Sequence, residues 1–193
     1  MGSANRPRGR VGKTPAMSVL RRSLIAAVVV LAAFPGPGWG ACRDENQAPS
    51  DVSAGRLRDA LGCLVNQART SRGLRAVRRD GRLTRIAGRY AHDMVRRRLF
   101  GHVSPSGQRL IDRMREGGYG RGRRFVAGEI LAWGTRSLAT PRALLSAWLA
   151  SPPHREILLS REFDRLGMDV RFPAPFEQVS PGATAVAEFG HER

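Results

Sequence analysis

Several absences bound this chain of 193 residues before any motif is read. It has a single lysine, Lys13, so every other basic residue is arginine. It has only two cysteines, Cys42 and Cys63, too few for a disulfide-dense scaffold or a cysteine-only zinc module. Aromatic residues make up 6% of the chain. The basic stretch Gly120-Arg121-Gly122-Arg123-Arg124 contains none of them, which argues against a nucleic-acid platform, and no nucleic-acid partner is expected. The four histidines show no His-Glu-x-x-His spacing. The sequence has no internal repeat, and no apolar run approaches the roughly 20 residues of a membrane-spanning helix.

Acidic residues are also missing from residues 1–40, which hold six basic ones. Arg21 and Arg22 precede an apolar run over residues 24–34, and Pro35-Gly36-Pro37-Gly38 breaks any helix there. A basic region, a short apolar run and small residues make a secretory signal peptide. The expected boundary lies near Gly40, with Gly38 and Gly40 as the small residues; Met17 is a second candidate start. Cleavage before Cys42 as a lipoprotein is disfavoured by Trp39, which stands where a leucine is wanted. The expected location is extracellular, periplasmic or in the cell envelope, with the apolar run as a membrane tether if it is not cut. Beyond residue 40, 27 basic groups face 16 acidic ones, a net charge of +11. An arginine-rich surface of this kind reads first as a soluble surface; its functional alternative is attraction to an anionic cell-wall polymer or membrane.

In an oxidising compartment the pair Cys42 and Cys63 reads as a disulfide. It would close a loop of about 20 residues, worth about 3 kcal/mol in the chain-entropy model. It would pin a leader over residues 41–56 to the first helix. The alternative is that Cys63 is a small buried apolar residue.

Periodicity places helices over residues 54–72, with Leu57, Leu61, Leu64, Val65 and Ala68 as one stripe, and over residues 83–95. The outer face of the second carries Arg85, Arg89, His92, Asp93 and Arg96. Residues 99–107 read as a loop, followed by a short helix with Leu110, Ile111 and Met114 inward. Residues 125–133 read as a strand. Thr140-Pro141 starts a helix, and Ser151-Pro152-Pro153 starts another that runs to about residue 159. Residues 166–172 alternate as a half-buried strand, and residues 183–189 form a last one. Helices first, then strands interleaved with helices, predict an α/β (α+β) layer sandwich with a mostly antiparallel sheet.

Two residues stand out chemically. Glu129 lies in the apolar run Val126-Ala127-Gly128-Glu129-Ile130-Leu131-Ala132-Trp133, where a carboxylate must be paired or protonated. His154 falls in the first turn of its helix, where the positive helix end favours neutral imidazole, the form that ligates metals or accepts protons.

An ordered series of motifs runs through the chain: Leu64-Val65-Asn66-Gln67-Ala68-Arg69, Ala91-His92-Asp93-Met94, Phe100-Gly101-His102-Val103-Ser104-Pro105-Ser106-Gly107, Arg113, Gly118-Tyr119, Gly128-Glu129, Trp148-Leu149-Ala150-Ser151-Pro152-Pro153-His154-Arg155 and Phe189-Gly190. This series resembles the bacterial branch of the CAP superfamily, the cysteine-rich secretory, antigen 5 and pathogenesis-related proteins, also called SCP domains. The resemblance covers residues 57–190. It implies a three-layer α-β-α sandwich with an open cleft lined by two histidines and two acidic residues. His102, Glu129 and His154 match three of these; Ser151 stands at the second acid, and Ile130 replaces an asparagine. A divalent cation (zinc, magnesium or calcium) held by His102, His154 and Glu129 would need water to complete its shell.

Three functions follow as expectations. The leading one is a secreted binding module whose cleft, with Ser151 at its side, takes a cation and a lipid, glycan or peptide. The second is a metal-assisted hydrolase, a peptidase with Glu129 as general base. The third is a non-enzymatic envelope protein using its arginine-rich surface. A monomer is expected.

Overall fold

The computed structural model describes residues 41–176 and 181–193. The signal-peptide reading of residues 1–40 lies outside them, as do residues 177–180. Among the described residues no helix is long and apolar enough to cross a membrane.

The elements run α1 (Ala54–Thr70), β1 (Arg78–Arg79), α2 (Gly81–Arg97), α3 (Leu110–Glu116), β2 (Phe125–Thr135), a 3₁₀ turn (Arg136–Ala139), α4 (Pro141–Ala150), α5 (Pro152–Leu159), β3 (Arg165–Arg171) and β4 (Gly182–Glu192). One sheet forms in the order β1-β3-β4-β2. Its pairings are antiparallel except β1 with β3. The main core lies between the sheet and α1, α4 and α5, with Leu57, Leu61, Leu64, Trp148 and Leu158 against Ile130, Met168, Ala185 and Phe189. On the other face, α2 packs Ala87, Tyr90, Ala91 and Met94 against Leu131 and Val186. The architecture is therefore an α-β-α sandwich with a mostly antiparallel sheet.

Helix starts follow local chemistry. The Asp80 side chain accepts from the backbone N–H of Arg82 and Leu83 at 2.8 and 3.1 Å, and Thr140 accepts from Ala143 at 3.3 Å. Ser151 holds the N-cap position of α5, but its side chain makes no capping bond. Pro152 and Pro153 fill the first two helical positions and have no N–H to offer.

Two expectations change. The 166–172 strand is not half-buried: the residues from Leu166 to Val170 are all buried, because helices cover both faces. In α3, Met114 is buried but Ile111 is 37% exposed. The inward stripe is Leu110, Arg113 and Met114, at i, i+3 and i+4, and Ile111 falls off it.

Cys42 and Cys63 form a disulfide with a Cα–Cα distance of 5.8 Å, and Cys63 is exposed rather than a buried apolar residue. The leader also reaches α4, where the backbone N–H of Arg142 donates to the Glu45 carbonyl at 2.9 Å. Thiol titration of the native protein under denaturing, non-reducing conditions is expected to find no free thiol; two reactive thiols would remove the bridge.

Buried Arg69 of α1 clamps the turn after α5. It donates to the carbonyls of Leu158 at 2.7 Å, Ser160 at 3.0 Å and Phe163 at 3.3 Å. This fixes α5, and with it His154, against the core.

Candidate functional site

The chemistry gathers around Glu129. Strand alternation puts Glu129 on the same side of β2 as Leu131, the side that α2 covers. Its side chain is 2% exposed. Burial without partners would be prohibitive for a carboxylate, and both oxygens are engaged. Oε1 lies 2.7 Å from His102 Nδ1, and Oε2 accepts from Arg113 Nη2 at 2.5 Å.

Arg113 is buried and does several things at once. Its Nη1 donates to the carbonyls of His102 and Gln108, both at 3.2 Å, which fixes the loop carrying His102. Its guanidinium lies 3.6 Å from the centroid of the Tyr90 ring. The Tyr90 hydroxyl in turn donates to the Gly101 carbonyl. One arginine thus orients a carboxylate, a loop and an aromatic ring.

His102 is the exposed end of this chain, with its side chain 55% exposed. Its Nδ1 is turned to Glu129, so Nε2 is the nitrogen that faces away from that carboxylate. The His154 ring, half-buried on α5, lies 6.3 Å away between ring centroids. The two imidazoles are pushed in opposite directions. The hydrogen bond to Glu129 raises the His102 pKa above its ordinary value, against opposing burial. Burial lowers the His154 pKa, and the His102 charge adds to this. The direction for His154 is the expected one, with burial as its largest cause.

A second carboxylate, Glu188, stands directly opposite Glu129 in the β2–β4 register. It is fully buried, and neither oxygen has a hydrogen-bond partner. Burial, then the charge of Glu129, raises its pKa well above the ordinary value. Burial therefore favours the neutral form of Glu188, and the protein loses stability as pH rises from the ordinary carboxylate range through this raised value.

The structure therefore brings His102, Glu129 and His154 together. Among the described residues, no three His, Cys, Asp or Glu side chains are grouped to hold one ion. The reason is visible at Glu129, whose oxygens already serve His102 and Arg113. It is placed as the carboxylate behind an imidazole, an arrangement common behind metal-bound histidines, rather than as a third ligand. The donors left for a cation are the two imidazoles.

Ser151 lies one helical turn before His154 but makes no hydrogen bond to it. Ser104 is bonded to Ser106 at 2.8 Å. Neither serine forms a Ser–His pair. His92 and His191 lie beside Asp93 and Asp164, at 4.0 and 3.0 Å, away from the cluster. The site residues not named as such from the sequence are Tyr90, Arg113 and Glu188. For Glu188 the signal was present, a glutamate in the apolar run Ala185-Val186-Ala187-Glu188-Phe189.

The domain is an α-β-α sandwich that carries two neighbouring imidazoles, one of them anchored by a buried glutamate. The family described as "CAP: Cysteine-rich secretory protein family" matches residues 64–172, more than half of the chain, and the chain belongs to that family. It is 31% identical over 121 residues to the YkwD protein of Bacillus subtilis (strain 168), a match covering 63% of this chain and 44% of that protein. The match thus spans less than half of the relative's length. Among solved structures, the fold is similar to that of an outer surface protein from Borrelia burgdorferi, with TM-score 0.58 and 23% identity over 69% of this chain and 90% of that one. It is also similar to an extracellular protein containing an SCP domain from Bacillus anthracis, with TM-score 0.57 and 23% identity over 72% of this chain and 43% of that one.

Proposed function

We propose that this protein is an exported CAP-domain binding module whose cleft takes a small lipid, glycan or peptide ligand between His102 and His154, with a divalent cation as part of the site. The observation that carries this reading is the buried Arg113–Glu129 pair presenting an exposed imidazole to a second one 6.3 Å away. Burying such a pair is costly, and its product here is one fixed imidazole orientation at the surface. Export is supported by the disulfide, by the address pattern of residues 1–40, and by the extracellular and outer-surface names of two structural neighbours.

A cation would take His102 Nε2 and His154 as its protein donors and would supply a positive centre for an oxygen of the ligand. The protein's own contribution is orientation: Glu129 holds the His102 tautomer, and the low His154 pKa keeps that imidazole neutral and ready to donate its lone pair. The second reading, hydrolysis, draws on the split between the imidazoles, with His154 as proton acceptor and His102 as donor.

Zinc chloride titrated calorimetrically into the protein is the direct test. His102→Ala and His154→Ala are each expected to abolish binding. Glu129→Gln, which keeps an acceptor but not its charge, is expected to weaken binding about 10- to 100-fold. Binding should be lost as pH falls, and the loss should begin above the ordinary histidine value because the His102 pKa is raised. Unchanged binding in both histidine variants would overturn the site. Hydrolysis of peptide substrates that disappears in both histidine variants would establish the second reading.

A further inference from the structure

A pocket opens where the chain enters β2. It has a volume of about 640 Å³ and is lined by Arg115, Arg123, Arg124 and Arg193 together with Ile111, Phe125 and Val126. No Asp or Glu side chain lines it. Elsewhere in the chain several arginines close on acids: Arg56 on Asp44, Arg82 on Glu192, Arg142 on Glu45 and Arg171 on Asp169. Arg115, Arg123 and Arg124 form no ion pair among the described residues. Arg193 reaches only Glu162, at 3.7 Å between two exposed side chains.

The cluster is assembled by the fold. Arg115 comes from the outer face of α3, and Arg123 and Arg124 from the turn before β2. The backbone N–H of Arg193 donates to the Arg124 carbonyl at 2.8 Å, pinning the end of the chain beside that turn. Gly120 and Gly122 adopt φ of 66° and 74°, in the left-handed region. A Cβ on Gly120 would lie 2.2 Å from the Phe125 ring, so glycine there lets Phe125 close the floor. Four arginines line one pocket beside apolar surface, with no Asp or Glu side chain among the lining residues.

We propose that this pocket binds a phosphate group. A carboxylate brings one charge and two oxygens. A phosphate ester brings up to about two charges and three strong acceptor oxygens, the set that several planar guanidinium forks match. Ile111, Phe125 and Val126 would meet the organic carrier of that phosphate. The site is distinct from the histidine cleft and shares none of its residues. It lies at the head of the same strand, about 13 Å along β2 from Glu129 at about 3.3 Å per residue.

The phosphate can belong to a soluble molecule or to a lipid headgroup, and two probes separate these. Inorganic pyrophosphate is titrated calorimetrically. Phosphatidylcholine vesicles with and without phosphatidate are sedimented with the protein. Each probe is run on the wild type, on the variant Arg115→Gln/Arg123→Gln/Arg124→Gln, and on a control, Arg75→Gln/Arg85→Gln/Arg89→Gln, which removes the same charge elsewhere. Binding of either probe is expected, weakened by at least about tenfold in the pocket variant and much less in the control, since each charge-assisted contact is worth about a tenfold change in affinity. Pyrophosphate alone assigns a soluble ligand, and phosphatidate vesicles alone assign a headgroup. Equal loss in the control would show that total charge and not the pocket binds, and overturns the proposal. So does a wild type that binds neither probe.

Discussion

Arg113→Met is expected to destabilise the protein by about 3–5 kcal/mol, the cost of leaving a buried charge without its partner. The substitution keeps most of the side-chain length and removes the guanidinium. Glu129 then stays 2% exposed, with only the His102 imidazole on Oε1 and with Glu188 facing it across the β2–β4 register. The loop carbonyls of His102 and Gln108 lose their donor, and Tyr90 loses the cation over its ring. The pH dependence separates these contributions. An uncompensated buried carboxylate is relieved by protonation, so the deficit against the wild type should shrink as pH falls from 7 towards the carboxylate range near about 4.3. A double variant, Arg113→Met with Glu129→Gln, should recover much of the loss, because charge and partner leave together. Chemical denaturation at pH 7 and pH 5 measures both. A deficit equal at the two pH values and in the double variant would mean that the loop contacts, not the ion pair, carry the arginine's contribution.

That arginine also marks the limit of what the sequence shows. Glu129 was legible because an acid in the middle of an apolar strand is an anomaly with few physical solutions. His102 and His154 were legible through their ordered motifs. Arg113 was legible as a member of the ordered motifs but its role was not, since arginine on a short helix is unremarkable in a chain with more than thirty basic residues. What identifies it is a tertiary fact: α3 lies over the strand end where Glu129 needs a cation, so the position at i+3 from Leu110 is filled by charge and Ile111 is left outside. Glu188 carried the same signal as Glu129. Its meaning depends on β-register, which single-strand patterns do not supply. The paired register turns two isolated anomalies into one pair of carboxylates facing each other across the sheet, with Glu188 pushed towards its neutral form.

Gly167→Ala tests the part of the fold that strand alternation misread. Taken as a half-buried strand, residues 166–172 would put Gly167 on a solvent face, where an added methyl group costs little. In the structure α2 lies directly over it. A Cβ at Gly167 would sit 2.0 Å from the Leu83 carbonyl carbon and 2.2 Å from Leu83 Cβ and Thr84 N. Two of these are backbone atoms at the start of α2, so no rotamer change relieves the contact; the helix has to move off β3. The expected cost is about 3 kcal/mol or more, the upper end for overpacking, read as a lowered denaturation midpoint. Movement of α2 also withdraws Tyr90 from Arg113, so the variant should lose part of its affinity for any cation at the two imidazoles. Gly62→Ala is the matched control. Gly62 lies inside α1 with nothing within 4 Å of the added Cβ, so alanine there should stabilise by about 0.5–1 kcal/mol through helix propensity alone. The same chemical change is thus expected to have opposite signs at two glycines. Equal effects at the two sites would mean that α2 does not rest on β3 as closely as described, and the orientation of the Tyr90–Arg113–Glu129 chain would lose its mechanical support.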